Sequence, residues 1–229
     1  MRAVPAWAHA PSDLAKQRML EGNLFDVAWL GAEHMLTGYD HLLFLLGILF
    51  FLTSWRQIVS FITAFTIGHT LVLLIATPLL IRANPFAIDA VIAFTVVYKA
   101  FENLGGFPRL LRIPAPPLLP MVCLFGLIHG FGLSTRLQDM TLASDPQFYA
   151  KIVAFNVGVE GGQIAALAVM AGVLHVWRTS PGWPDFARTA NLLIAASGIV
   201  LMALQVPGII APPAGNVERI SMQLHRSNS

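Results

Sequence analysis

The strongest constraint on this chain is a recurrence. Runs of mostly apolar residues, each close to the roughly 20 residues a helix needs to cross a bilayer, return along the sequence with Arg, Pro and Gly between them. They fall at 33–52, 57–80, 86–104, 118–135, 148–177 and 187–206. The first stops at Ser54-Trp55-Arg56, the second at Pro78 and Arg82-Ala83-Asn84-Pro85, the third at Gly105-Gly106, and the last at Pro207-Gly208. Inside hydrocarbon the backbone must satisfy its own hydrogen bonds, so these runs predict helices. The fold expected is all-α, a polytopic membrane bundle of about six transmembrane helices. It divides into a polar or interfacial N-terminal segment (1–27), a transmembrane domain (28–207) and a polar C-terminal tail (208–229). Within 11–32, Leu14, Met19, Leu24 and Trp29 alternate with charges, a pattern suited to the membrane interface.

Composition excludes several function classes. The chain is 56% hydrophobic and 11% charged, where a soluble domain carries about 25% charged residues. Its net charge of +2 comes from scattered Lys and Arg, with no basic run to follow a phosphate backbone, so no nucleic-acid partner is expected. Cys123 is the single cysteine, which rules out a disulfide framework or a cysteine-rich metal site; any metal site must use His and carboxylate. The N-terminus MRAVPAWAHAPSD has one early Arg but no apolar run of ~7–15 residues, so no cleavable signal peptide is visible. No internal repeat supports an inverted-repeat transporter plan.

Against this background the polar residues inside the spans stand out, because an ionisable group at the centre of a membrane helix costs on the order of 2.5–3.5 kcal/mol and needs a partner, a wet cavity or an ion. In GAEHMLTGYDHLLFLLGILFFL, His34 and His41 are seven residues apart, two turns if the segment is one helix, with Gly38 on the same face and Asp40 about 100° round. FTIGHT places Thr66 and His69 one turn apart, and FGLIHGFG flanks His129 with Gly126, Gly130 and Gly132. FNVGVEGGQ sets Asn156, Glu160 and Gln163 at i, i+4 and i+7, and Thr95, Lys99 and Glu102 form a further stripe. Lys99 and Glu102 are spaced to neutralise each other, and read as a buried ion pair. The glycines read as packing devices. A single membrane histidine is most simply a hydrogen-bond partner, but four histidines with Asp40 and Glu160 on four spans match the donor set of Ni, Co, Zn or Fe. His34, His41, His69 and His129 are therefore expected to converge on one cavity, with Asp40 and Glu160 close by.

The ordered motifs GAEHMLTGYDHLLFLLGILFF, FTIGHT, VVYKAFENLGG, FGLIHGFG and FNVGVEGGQ, spread over 28–175, resemble the HupE/UreJ family of bacterial membrane proteins. That family is associated with hydrogenase and urease gene clusters and is regarded as a nickel or cobalt permease. The resemblance implies an integral protein of the bacterial inner membrane that takes up Ni²⁺, Co²⁺ or a similar ion. It carries the metal-handling role to His34, Asp40, His41, His69, His129 and Glu160, with Thr66, Lys99, Glu102, Asn156 and Gln163 as a supporting polar stripe. Two departures are visible. Ala8-His9-Ala10 resembles the family's signal-peptide junction without the apolar region before it, and Asp89 stands where the family more often has Glu.

Two further functions compete with the permease: an intramembrane enzyme in which histidines hold Zn²⁺ or Fe and Asp40 or Glu160 is the general base, and an accessory subunit whose polar stripes only join helices. Transport is favoured over catalysis, because mixed imidazole and carboxylate ligands bind and release an ion readily. The expected partners are the metal ion and the lipid bilayer. A homo-oligomer is compatible with the sequence but not required by it.

Overall fold

A computed structural model describes residues 13–50, 54–139 and 145–210. Among these residues the regular elements are all helical: α1 (Asp13–Glu21), α2 (Leu24–Thr37), α3 (Tyr39–Leu49), α4 (Trp55–Ala76), α5 (Pro85–Asn103), α6 (Leu118–Asp139), α7 (Phe148–Arg178) and α8 (Trp183–Ile210), with a π-helical turn at Phe107–Leu111. The polar sequence punctuation becomes caps. Asn23 and Asp26 form a capping box at the start of α2, Ser54 and Gln57 do the same for α4, and Asn84 caps α5 with Pro85 in its first turn. The extreme N-terminus with His9, and the tail from residue 211, lie outside the described residues.

Among the described residues, four helices are long and apolar enough to cross a membrane: Trp55–Ala76, Leu118–Gln138, Phe148–His175 and Trp183–Ile210. The other two expected spans differ for physical reasons. The first is not one helix. Gly38 is extended (φ −75°, ψ 109°), which ends α2 and starts the 11-residue α3. The third, α5, carries Asp89, Lys99 and Glu102 in its 19 residues. The stretch up to residue 32 that reads as interfacial also divides. Helix α1 leaves Leu14 and Leu20 exposed, whereas α2 buries Val27, Gly31 and Met35.

Helices in lipid gain little from excluding water and associate by close packing, which small residues permit. In the α4–α6 contact, a Cβ on Gly68 would run into the Cys123 carbonyl, and one on Gly126 into the Phe65 carbonyl. Gly31 and Gly158 do the same for α2 and α7, against the backbones of Phe155 and Ala28. The glycine-rich motifs are thus the places where backbones touch. Between these pairs lies a core that includes Phe44, Phe61, Phe65 and Phe125, while Val169, Val173 and Leu193 point outward, as lipid-facing residues should. Side chains close the ends. Arg136 reaches both carboxylate oxygens of Asp89, at 2.8 and 3.0 Å, and joins α6 to α5. The Lys151 ammonium donates to the Leu20 carbonyl and to Asp145, each at 2.6 Å, and ties α1 to α7.

Candidate metal-handling site

The break at Gly38 brings His34 and His41 together by a route that one straight helix would not use. His34 belongs to the last turn of α2 and His41 to the first turn of α3, yet their rings meet with centroids 5.1 Å apart. His41 also meets His129 of α6 at 5.0 Å, so it stands between two imidazoles. Asp40 Oδ1 lies 3.1 Å from His41 Nδ1, and both side chains are almost fully buried. The turn has no room for a larger residue than glycine at 38, since a Cβ there would fall 2.6 Å from His41 Nδ1 and 3.2 Å from Asp40 Oδ1.

His69 joins this group less directly. Its ring stacks on Phe65 (6.1 Å, 16°), and Phe65 in turn lies 5.2 Å from His129 and 6.5 Å from His41. On its other side His69 Nδ1 is 2.8 Å from Asn156 Oδ1 of α7. Two turns along α7, Gln163 Oε1 accepts from the Thr66 hydroxyl at 3.4 Å. Glu160 lies on the same α7 face as Asn156 and Gln163, half-buried, with no hydrogen bond or ion pair to any described residue.

The hydrogen bonds fix which ring nitrogen carries the proton. His129 Nδ1 faces the Phe125 carbonyl at 2.8 Å, a group that can only accept. The Asn156 amide nitrogen donates to the Ile152 carbonyl at 2.8 Å, which turns its oxygen toward His69. His41 Nδ1 faces a carboxylate. In all three, Nδ1–H is the donor, which leaves Nε2 as the nitrogen for a metal ion, the arrangement in which an oriented imidazole serves as a ligand. His129 Nε2 is buried with no hydrogen-bond partner. Among the described residues no three His, Cys, Asp or Glu side chains close around one point as a ligated ion requires; the imidazoles form a row instead.

The structure therefore brings together His34, Asp40, His41 and His129, attaches His69 through Phe65, and places Thr66, Asn156 and Gln163 beside it. The expected single convergence of four histidines becomes a trio with a fourth ring one step away. Lys99 and Glu102 form the expected ion pair at 2.8 Å, with 1% and 6% of their side chains exposed. They sit at the α3–α5–α8 contact, where the Lys99 stem packs on Gly47 and Asn103 donates to the Gly47 carbonyl and to Asn191. Sequence reasoning passed over Phe65, Phe125 and the Asp89–Arg136 pair. The signal for the aromatics was present: Phe61, Phe65 and His69, and likewise Phe125 and His129, are spaced by four residues and so share a helix face.

These features define a class, an integral membrane protein of packed helices with an imidazole-rich polar core. Within that class the chain belongs to the HupE / UreJ protein family, whose model matches residues 12–211. No curated protein and no solved structure matches the chain. The family is associated with nickel and cobalt transport.

Proposed function

We propose that this protein is a permease of the inner membrane for a divalent transition-metal ion, Ni²⁺ or Co²⁺, which passes along His34, Asp40, His41, His129 and His69. The carrying observation is a common orientation: His41, His69 and His129 each commit Nδ1–H to an acceptor, which leaves Nε2 as the nitrogen for a metal ion. Neutral imidazoles suit borderline ions such as Ni²⁺ and Co²⁺, with Zn²⁺ and Fe²⁺ as competitors. Asp40 supplies negative charge against the cation and orients His41, as a carboxylate behind a ligand histidine does. Glu160, unpaired and half-buried beside Asn156, supplies a second negative charge on the α7 side.

A row of three imidazoles with centroids 5.1 and 5.0 Å apart, and His69 beyond Phe65, favours an ion that is handed on over one retained for catalysis, because conduction needs several weak sites and not one deep one. Thr66, Asn156 and Gln163 then act as positioning residues, while the Lys99 stem on Gly47 and the Asn103 bond to the Gly47 carbonyl hold α5 against α3. The test is uptake of Ni²⁺ and Co²⁺ into proteoliposomes by the parent and by Glu160→Gln, a variant that keeps size and removes charge. Slower uptake with normal folding supports the assignment; parent-like uptake removes Glu160 from the path.

A further inference from the structure

We propose that the ring of Phe65 is the gate of this path: it closes the step between the His41–His129 pair and His69, and rotation of its side chain opens that step. The inference rests on the permease reading and adds to it the place where conduction is blocked.

His69 makes ring contact with Phe65 alone among the described residues, and with no other imidazole. Phe65 in turn meets His129 and His41, so every ring-to-ring route from the trio to His69 passes through it. The ring is 1% exposed and backed by Phe44 at 6.0 Å, itself 1% exposed. Phe65 is the eleventh of the 22 residues of α4, and so lies near the middle of a membrane-crossing helix. Two polar stations meet its ring: His129, whose buried Nε2 has no hydrogen-bond partner among the described residues, and His69, held by Asn156. An apolar constriction between polar stations excludes water and so excludes a hydrated ion, which is how hydrophobic gates close.

The backbone here cannot be what moves. The Phe65 carbonyl is packed against Gly126 so closely that a Cβ on that glycine would lie 3.0 Å from the Phe65 carbonyl carbon. With α4 held against α6, the freedom that remains is rotation about the side-chain bonds of Phe65. Opening by a ring flip leaves the helix pair intact.

The experiment reads leak without any transition metal, so it does not depend on which ion the protein carries. Purified parent and Phe65→Ala are reconstituted into liposomes, and passive proton and potassium fluxes are followed with entrapped indicator dyes. Phe65→Ala is expected to raise the leak by about tenfold or more, equal to about 1.4 kcal/mol of barrier. Phe65→Tyr, which keeps the ring, is expected to stay as tight as the parent. If Phe65→Ala does not fold, Phe65→Cys in a Cys123→Ser background replaces it; its leak should fall again when a benzyl thiosulfonate restores the bulk. Folded Phe65→Ala or Phe65→Cys protein as tight as the parent overturns the gate. A parent that carries no Ni²⁺ or Co²⁺ while Phe65→Ala leaks would overturn the metal reading and leave the gate standing; a parent that carries metal beside a tight Phe65→Ala would do the reverse.

Discussion

His129 Nδ1 and the carbonyl oxygen of Phe125, one turn earlier on α6, are 2.8 Å apart. Since a carbonyl only accepts, the ring donates there, and its other nitrogen is left buried without a partner. A buried unpaired polar group costs about 1–3 kcal/mol, so this histidine is placed against stability. His129→Leu, which fills the space with apolar atoms, is expected to melt at the same temperature as the parent or higher, while losing the stabilisation that added Ni²⁺ gives the parent. Thermal unfolding in detergent with and without Ni²⁺ checks this. A large fall in melting temperature would make His129 a structural residue.

Asp40 acts through His41. In Asp40→Asn the amide oxygen still accepts from His41 Nδ1 at the observed 3.1 Å spacing, but the negative charge is gone. Loss of such a carboxylate behind a metal-bound histidine typically weakens binding about 10–100-fold. Titration calorimetry with Ni²⁺ should show that drop with an unchanged far-ultraviolet spectrum, and Asp40→Ala should be worse, because it also frees the ring.

Gly38 offers a test of the broken helix. A methyl group at this position would lie 2.6 Å from His41 Nδ1 and 3.3 Å from the His34 carbonyl oxygen, so Gly38→Ala must displace His41. The expected result is loss of metal uptake with the bundle still folded, since α2–α7 and α4–α6 packing does not use this residue. Uptake at the parent's rate would show that the His34–His41 contact is dispensable.

How much of this was legible in the sequence follows from the range of each interaction. The runs at 57–80, 86–104, 118–135, 148–177 and 187–206 became α4 to α8, because apolar length and capping residues are local signals. The break at Gly38 was not legible: residue spacing does not reveal which dihedrals a glycine inside a helix-length run adopts, and one extended pair decides the matter. The histidine and carboxylate positions stood out by their cost in lipid, and the Lys99–Glu102 pair by its spacing. What holds the rings is different in kind. The partner of His69 is Asn156, 87 residues away, and that of His129 is a backbone carbonyl, which no residue pattern announces. The Asp89–Arg136 pair spans 47 residues and depends on α5 and α6 lying side by side.

At the protein's edge, pH should loosen α1. Hydrogen bonding from the Lys151 ammonium, with help from the Gln147 backbone, holds the Asp145 carboxyl below its ordinary value of 3.8. A depressed carboxyl contributes stability that is present above the unfolded value and is lost as pH falls through the folded one. Asp145→Asn should therefore speed amide exchange in α1 at pH 7, through the freed Lys151 and its bond to the Leu20 carbonyl, and make progressively less difference as the pH falls below 3.8 and through the depressed folded value. Equal effects at both ends of that range would assign the contact to packing and not to charge.

The central claim is that the imidazole row carries a transition-metal ion across the membrane, and radiolabelled Ni²⁺ flux into proteoliposomes tests it most directly. Proteoliposomes loaded with unlabelled Ni²⁺ should take up external labelled Ni²⁺ by exchange, Co²⁺ should compete and Mg²⁺ should not, and the double variant His41→Ala, His129→Ala should be indistinguishable from empty liposomes. Exchange by the double variant at the parent's rate, or none by the folded parent, would contradict the account.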